Sequence, residues 1–195
     1  LEDIMMLQKI AKENNMEYIP LIQTFGHFEF VLKHEKFADL REVPQYSQSL
    51  CPSRQNSLEI IHLMIDQIMS THPASKYLHI GADEVYALGK CNICTGRLET
   101  EFSGDLQSLF LSHVTAVSRY IKKKYPATVV IMWDDMLRNI NTTKGEGCQK
   151  ELQTMVRIAA NQTESKTNRE SVASQRSLPT KSDRITNKKR LGVAN

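Results

Sequence analysis

The sequence predicts an α/β fold in which helices cover a parallel sheet. Helical and strand-like patterns alternate three times along residues 1–133, and the connections between the strands are too long for hairpins. Each strand-like run also ends in a cluster of polar or acidic residues. Together these observations indicate repeated βα units with chemistry gathered at the carboxyl ends of the strands.

Three amphipathic patterns predict the helices. Residues 3–14 and 58–72 carry apolar side chains at spacings of three and four, and stop at an Asn pair and before Pro73 respectively. The third pattern, residues 105–125, has the same spacing. Asp105 is its expected N-cap, and a basic last turn suits the negative end of the helix dipole.

Three apolar runs of strand length separate these helices. In the first run Pro20 removes one ladder hydrogen bond. The third run is rich in β-branched residues and is expected to be buried on both faces of its sheet. The runs are residues 17–24, 77–81 and 128–133.

Residues 25–54 contain Gly, Pro, Ser and many charged side chains, and predict a long loop with one helical turn near 31–34. Long loops in compact domains are often functional. A doubly wound sheet and a (β/α)8 barrel both fit the order of elements, and no glycine-rich phosphate-binding motif favours the former. The polar clusters at the ends of all three strands favour the barrel, since they would converge on one mouth.

A complete (β/α)8 barrel needs about 250 residues. Residues 1–144 supply only three recognisable strands, so we expect a partial catalytic barrel and a truncated chain. Composition changes after this segment: residues 1–144 have a net charge of −2, whereas 145–195 have +5 and lack aromatic side chains. We predict a basic, disordered tail over 145–195, because it offers little apolar area to bury.

Composition also limits the partners. The basic run at 188–190 fits a nuclear address or a polyanion contact, but such runs are usually solvated, and we predict no nucleic-acid partner. No window approaches 18 consecutive apolar residues, so no membrane span is predicted.

Four cysteines are too few and too scattered for a disulfide framework, which favours a reducing compartment. Cys91 and Cys94 have the CxxC spacing of redox and zinc motifs. No second CxxC or CxxH follows, so a closed four-ligand zinc site is not predicted, and free thiols are the plain interpretation. A redox or metal module built on this pair remains an alternative.

Adjacent acidic residues are weak evidence by themselves, since chance gives roughly 2.5 such pairs in a chain of this composition. Asp83-Glu84 differs from the other two pairs because it follows an apolar strand and a flexible Gly-Ala step. There a carboxylate can leave the pleat and face the barrel mouth. Helix capping or salt bridging is the alternative explanation for this pair.

Residues 79–84, HIGADE, resemble the HxGxDE signature of glycoside hydrolase family 20, the β-N-acetylhexosaminidases. Residues 23–27, QTFGH, and 133–135, WDD, resemble that family's motifs at the ends of its third and fifth barrel strands. The resemblance covers about residues 1–140. It implies that the chain supplies about strands 3 to 5 of a (β/α)8 barrel, with their helices.

The resemblance also implies a reaction. Terminal β-linked N-acetylhexosamine would be hydrolysed with retention, the substrate's own 2-acetamido oxygen attacking C1 to give an oxazolinium ion. Glu84 would be the general acid and then the base, while Asp83 would orient the acetamido group and stabilise its developing charge. No metal or organic cofactor is expected for this chemistry.

By the same resemblance, Trp133 would form a wall of the acetamido pocket and His27 would support the acid. Asp134 and Asp135 would line the site, and His79 would brace its strand. The family resemblance further implies a glycoconjugate substrate and a location in cytoplasm and nucleus. The alternative is a catalytically inactive truncated form that acts at most as a sugar- or protein-binding module.

Overall fold

The computed structural model describes residues 1–138. The predicted boundary after residue 144 and the predicted disordered tail lie outside these residues. In chain order the elements are α1 (Glu2–Glu13), α2 (Glu29–Leu32), a 3₁₀ helix (Glu35–Leu40), β1 (Arg41–Val43), β2 (Tyr46–Leu50), α3 (Gln55–Thr71), β3 (Tyr77–His79), α4 (Asn92–Glu101), α5 (Leu106–Lys124) and β4 (Val129–Ile131).

Parallel pairing places three segments side by side. β3 and β4 pair in parallel, with Leu78 opposite Val130. On the other edge of β3, Leu21 forms an isolated parallel bridge with His79. The strand predicted over 17–24 is therefore wrong in extent, since only this bridge forms; Pro20 lacks an N–H and takes part only as an acceptor, from the His79 N–H at 2.9 Å.

The three predicted helices are confirmed as α1, α3 and α5. Asp105 caps α5 as predicted, its carboxylate accepting from the backbone N–H groups of Gln107 and Ser108. α3 and α5 bury Ile61, Ile65 and their neighbours in a core cluster shared with β3. α1 differs from these two helices, since the described part of the chain buries none of its residues. No helix within residues 1–138 is long and apolar enough to cross a membrane.

The long loop predicted over 25–54 is wrong, because most of this segment is regular. It contains α2, the 3₁₀ helix and an antiparallel hairpin of β1 and β2. The hairpin strands are short, and β2 has the polar sequence YSQSL, which gives no apolar alternation to detect. The helical turn expected near 31–34 corresponds to α2. α4 was not predicted either, because Cys94 is its only buried residue.

The expectation that the last strand is buried on both faces is also wrong. Each residue of β4 is only half-buried. Among the described residues β4 has one strand neighbour, β3, so its other edge receives no cover from this part of the chain.

A second core cluster lies where α5 meets the end of the first parallel segment. The His113 Nε2–H donates to the Thr24 carbonyl at 2.9 Å, and the His113 ring lies 4.1 Å from that of Phe25. Phe25 also stacks on Phe110 at 5.5 Å. Burial lowers the pKa of His113 to about 4, so the ring is neutral at pH 7. These contacts hold the chain just before His27 against α5.

Candidate active site

The backbone after β3 brings two neighbouring carboxylates to one side. Residues in a strand alternate between faces, but Ala82 and Glu84 have positive φ values of 67° and 48°. The chain thus leaves the extended conformation on both sides of Asp83. As a result His27 Nε2 lies 3.5 Å from Oδ2 of Asp83 and 3.1 Å from Oε2 of Glu84.

Two glycines allow this close approach. A Cβ on Gly26 would lie 2.1 Å from the carbonyl oxygen of Asp83. Gly81 has a φ of 64°, and a Cβ there would lie 1.8 Å from Oε1 of Gln23. A side chain at Gly26 would push apart the two loops that carry His27 and the carboxylates, and one at Gly81 would displace the Gln23 side chain.

Asp83 is held by fixed polar partners. Its Oδ1 accepts a hydrogen bond of 3.0 Å from Nε2 of Gln23, and its other oxygen faces His27. Oε1 of Gln23 accepts in turn from the Ala82 N–H at 3.2 Å. With only 21% of its side chain exposed, the Asp83 carboxylate has a defined orientation.

Glu84 combines a fixed backbone with an accessible carboxylate. Its N–H donates to Oδ2 of Asp135 at 3.0 Å, and its carbonyl accepts from Nε2 of Gln48 at 2.7 Å. The side chain is 49% exposed. A hydrogen bond with Glu84 raises the pKa of the neighbouring Tyr86. Because its side chain is half exposed, the Glu84 carboxylate can contact a molecule that arrives from solvent.

Trp133 and His79 form one wall beside these groups. Their ring centroids lie 4.7 Å apart, and the backbone N–H of Trp133 donates to the Gly81 carbonyl at 3.1 Å. Nδ1 of His79 accepts from the Gly81 N–H at 3.0 Å, which ties the ring to its own strand end. Burial lowers the pKa of His79. Trp133 remains 49% exposed, so its indole offers an open apolar surface.

The two acids after Trp133 have different surroundings. Asp135 binds the Glu84 backbone and so belongs to the carboxylate cluster. Asp134 instead pairs with Arg138 at 2.7 Å on the exposed surface, and that hydrogen bond lowers the pKa of Asp134. The structure brings together His27, Asp83, Glu84, Trp133 and Asp135 among the predicted site residues, and gives Asp134 a separate partner.

Sequence reasoning assigned no role to three polar residues of this site, although Gln23 lies in the quoted QTFGH segment. Gln23 lies at the end of the first parallel segment, and its position there was a usable signal. Gln48 belongs to the unpredicted hairpin, so nothing in the sequence connected it with Glu84. Tyr86 follows the acidic pair by two residues and carries no motif of its own.

One group in residues 1–138 has the donors to hold a metal, and it lies apart from the two carboxylates. Glu42, Cys51, Cys91 and Cys94 have donor atoms within 4.8 Å of one another. The sequence analysis considered only a later CxxC or CxxH pair, whereas the hairpin brings Glu42 and Cys51 from upstream to within this distance.

The sequence matches the family model for the glycosyl hydrolase family 20 catalytic domain over residues 1–177. Because this match covers most of the 195 residues, the chain belongs to glycoside hydrolase family 20.

Two curated relatives are similar over 138 residues, which is 71% of this chain. Hexosaminidase D from Bos taurus is 45% identical there and that from Homo sapiens 44% identical. The chain spans 40% and 28% of the lengths of these relatives, respectively.

Solved structures show the same fold. β-N-Acetylhexosaminidase from Bacteroides fragilis aligns with a TM-score of 0.60 and 22% identity, over 80% of this chain and 34% of that one. The exo β-N-acetylglucosaminidase from Vibrio harveyi aligns with a TM-score of 0.53 and 24% identity, over 77% of this chain and 24% of that one. Mixed helix and strand content is thus shared with catalytic domains of this family.

Proposed function

We propose that this protein is a β-N-acetylhexosaminidase that removes terminal, non-reducing β-linked N-acetylhexosamine from glycoconjugates by a retaining, substrate-assisted mechanism. The observation that carries the proposal is the convergence of Asp83 and Glu84 on one nitrogen of His27, at 3.5 and 3.1 Å. Similarity to hexosaminidase D supports the substrate class.

The convergence argues for the mechanism. In a retaining enzyme with two catalytic carboxylates, acid and nucleophile stand on either side of the anomeric carbon, about 5–5.5 Å apart. Asp83 and Glu84 share one imidazole and lie on the same side of the site. This arrangement suits two acids that act together from one side, and membership of family 20 supports assigning the nucleophile to the substrate's own 2-acetamido oxygen.

The two acids then have separate roles. The exposed carboxylic acid of Glu84 protonates the leaving glycosidic oxygen, and its carboxylate later takes a proton from the attacking water. Asp83, fixed by Gln23, accepts a hydrogen bond from the acetamido N–H and stabilises the positive charge of the oxazolinium ion. His27 contacts both carboxylates and so fixes the position of Glu84, the acid, relative to Asp83, the orienting group.

The open indole of Trp133 is suited to pack against the acetyl methyl group, because an aromatic face offers apolar contact without competing hydrogen bonds. His79 supports that indole from the buried side at 4.7 Å. Asp135 positions the backbone of Glu84. No protein metal is needed in these steps, since the acid, the base and the nucleophile are all supplied by side chains and substrate.

We further propose that the parallel segments at Leu21, β3 and β4 are consecutive strands of a (β/α)8 barrel, about the third to the fifth. Their side-by-side order along the chain and the similarity to family 20 structures support this assignment. In such a barrel their carboxyl ends share one mouth, where Gln23, Asp83 and Trp133 lie.

A location in cytoplasm and nucleus is also proposed. No disulfide joins Cys51, Cys91 and Cys94 despite their proximity, which favours a reducing compartment. Fluorescence microscopy of the tagged chain tests this, and secretion into the medium would contradict it.

Activity is tested by hydrolysis of p-nitrophenyl N-acetyl-β-galactosaminide and its gluco epimer by the purified chain. We expect turnover that Glu84→Gln abolishes, a β-configured first product by NMR, and no turnover of the matching 2-hydroxy glycosides. Progressive fluorination of the acetyl group should slow the reaction, since it weakens the internal nucleophile. Absence of wild-type turnover would overturn the proposal and favour an inactive sugar- or protein-binding form.

A further inference from the structure

Four donor side chains converge outside the carboxylate site. Glu42 lies in β1, Cys51 directly follows β2, Cys91 is the N-cap of α4 and Cys94 lies in its first turn. All four donor atoms are within 4.8 Å of one another. These residues come from three separate segments, so the hairpin and α4 must be packed together before the group exists.

The distances within this cluster suit a tetrahedral ion. Sγ of Cys51 lies 3.4 Å from that of Cys91 and 3.6 Å from that of Cys94. Sγ of Cys94 lies 3.2 Å from Oε2 of Glu42. Zinc–sulfur bonds of about 2.3 Å place two sulfurs of a tetrahedron about 3.8 Å apart. Both sulfur–sulfur distances from Cys51 are thus within a few tenths of an ångström of that separation.

The burial of Glu42 needs an explanation that a cation supplies. Its residue is 1% exposed, and Oε1 accepts from the backbone N–H groups of Lys90 and Cys91. Oε2 faces the sulfurs and accepts from the Cys94 thiol at 3.2 Å. Within residues 1–138 no Lys, Arg or His nitrogen lies within ion-pair distance of this carboxylate. Buried charges are normally paired or bound to metal.

The surrounding polar groups are arranged as around zinc-bound thiolates. The Cys94 N–H points to Sγ of Cys91 at 3.3 Å, and the hydroxyl of Ser53 lies 3.0 Å from Sγ of Cys94. Arg97 donates to that hydroxyl oxygen at 3.2 Å, which turns the hydroxyl proton toward the sulfur. The N-terminus of α4 adds its positive dipole end. Such outer partners orient metal ligands and raise affinity.

We propose that Glu42, Cys51, Cys91 and Cys94 bind one Zn²⁺ in a closed, four-coordinate structural site. With all four positions filled by protein, the ion has no place for water or substrate, so it stabilises the fold rather than catalysing hydrolysis. Three thiolates with one carboxylate favour a small tetrahedral ion over the oxygen-rich shells of Mg²⁺ and Ca²⁺.

The position of this site gives it a consequence for the carboxylate cluster. Cys51 follows β2, whose Gln48 holds the Glu84 carbonyl at 2.7 Å. The Leu50 N–H donates to the Phe25 carbonyl, just before Gly26 and His27. Zinc would therefore fix the end of β2 against α4, and with it two loops that position the catalytic residues.

The test is metal analysis of the 195-residue chain purified without chelator. We expect about one zinc per chain, protection of three thiols from a thiol reagent, and the visible absorption bands of tetrahedral thiolate-bound cobalt after exchange with Co²⁺. These readouts do not depend on glycosidase activity. A disulfide joining Cys51 to Cys91 or Cys94, or a zinc content below about a tenth per chain after zinc addition, would overturn the proposal.

Variants sharpen the assignment. Cys94→Ser should abolish stoichiometric zinc, and Ser53→Ala, which removes only an outer hydrogen bond, should weaken zinc affinity about tenfold. Cys148→Ser is the matched control and should retain one zinc. Loss of zinc in Cys148→Ser would contradict the proposed ligand set. The wild-type cobalt spectrum keeps the proposal testable even where Cys94→Ser fails to fold.

Discussion

Nε2 of His27 lies 3.1 Å from Oε2 of Glu84, and the same nitrogen reaches the carboxylate of Asp83 at 3.5 Å. This contact holds two groups that are assigned different steps of one reaction. We expect His27→Ala to lower kcat about 100-fold with a smaller change in KM, because misplacing a catalytic group costs about that factor. Steady-state kinetics on the N-acetylhexosaminide would measure it, with circular dichroism as the folding control. A kcat within twofold of wild type would contradict this role.

Gly26 tests the close approach of the two site loops. In Gly26→Ala the new Cβ would meet backbone, the Asp83 carbonyl at 2.1 Å, which cannot rotate away. We expect at least a 100-fold loss of kcat/KM and a lower Tm. Gly96→Ala is the matched control: nothing lies within 4 Å of its Cβ, and alanine in a helix should raise stability by up to about 1 kcal/mol. Equal effects of both substitutions would refute the argument.

His113 makes stability depend on pH. Burial lowers its folded-state pKa to about 4, against about 6.5 in an unfolded chain. The unfolded state therefore takes up a proton first. The stability contributed by neutral His113 is intact above about pH 6.5 and is lost as the pH falls toward 4, by about 3 kcal/mol.

Denaturant unfolding of wild type and His113→Gln between pH 7.5 and 4.5 would measure this effect. Glutamine can keep a donor to the Thr24 carbonyl but does not titrate. The stability advantage of wild type should shrink as the pH falls, and a constant difference across this range would contradict the prediction.

Asp66 joins α3 to α5 through three donors. It accepts hydrogen bonds of 2.8 Å from the hydroxyls of Tyr120 and Tyr125 and of 2.7 Å from Nζ of Lys124. Partial burial raises the pKa of Asp66, but these bonds outweigh it and lower the pKa overall. Asp66→Ala should cost about 1–3 kcal/mol by leaving two hydroxyls without their acceptor. Chemical denaturation measures the loss, and Glu59→Ala, on the same helix, should change stability by less than about 0.5 kcal/mol.

Sequence patterns predicted the parts of the fold that have regular periodicity. α5 carries a long apolar stripe, a capping aspartate and a terminating proline, and each of these signals is local. β1 and β2 carry none of them, because short polar strands gain their stability from pairing and from the residues packed on them. Pro20 shows a second limit: an apolar run can lie beside a strand while forming only one bridge to it.

The residues of the candidate site also divide into those with a local sequence signal and those without one. Asp83, Glu84 and Trp133 follow strands directly, so chain position and family resemblance located them. Gln48 reaches Glu84 across 36 residues, and Glu42 reaches Cys94 across 52. Contacts of that kind depend on how the hairpin folds back, which no local pattern encodes.

Trp133 separates a substrate-binding role from a packing role. Because 49% of this residue is exposed, removing the indole should lower the free energy of unfolding by less than about 1.5 kcal/mol, below the range for buried aromatic residues. The loss of an apolar wall for the acetyl group should nevertheless reduce kcat/KM for N-acetylhexosaminides about 100-fold. Trp133→Phe keeps an aromatic face and should recover part of that activity. Kinetics and thermal unfolding of Trp133→Ala and Trp133→Phe decide the matter: a large fall in Tm with unchanged kcat/KM would assign the indole to packing, since the two roles predict opposite patterns.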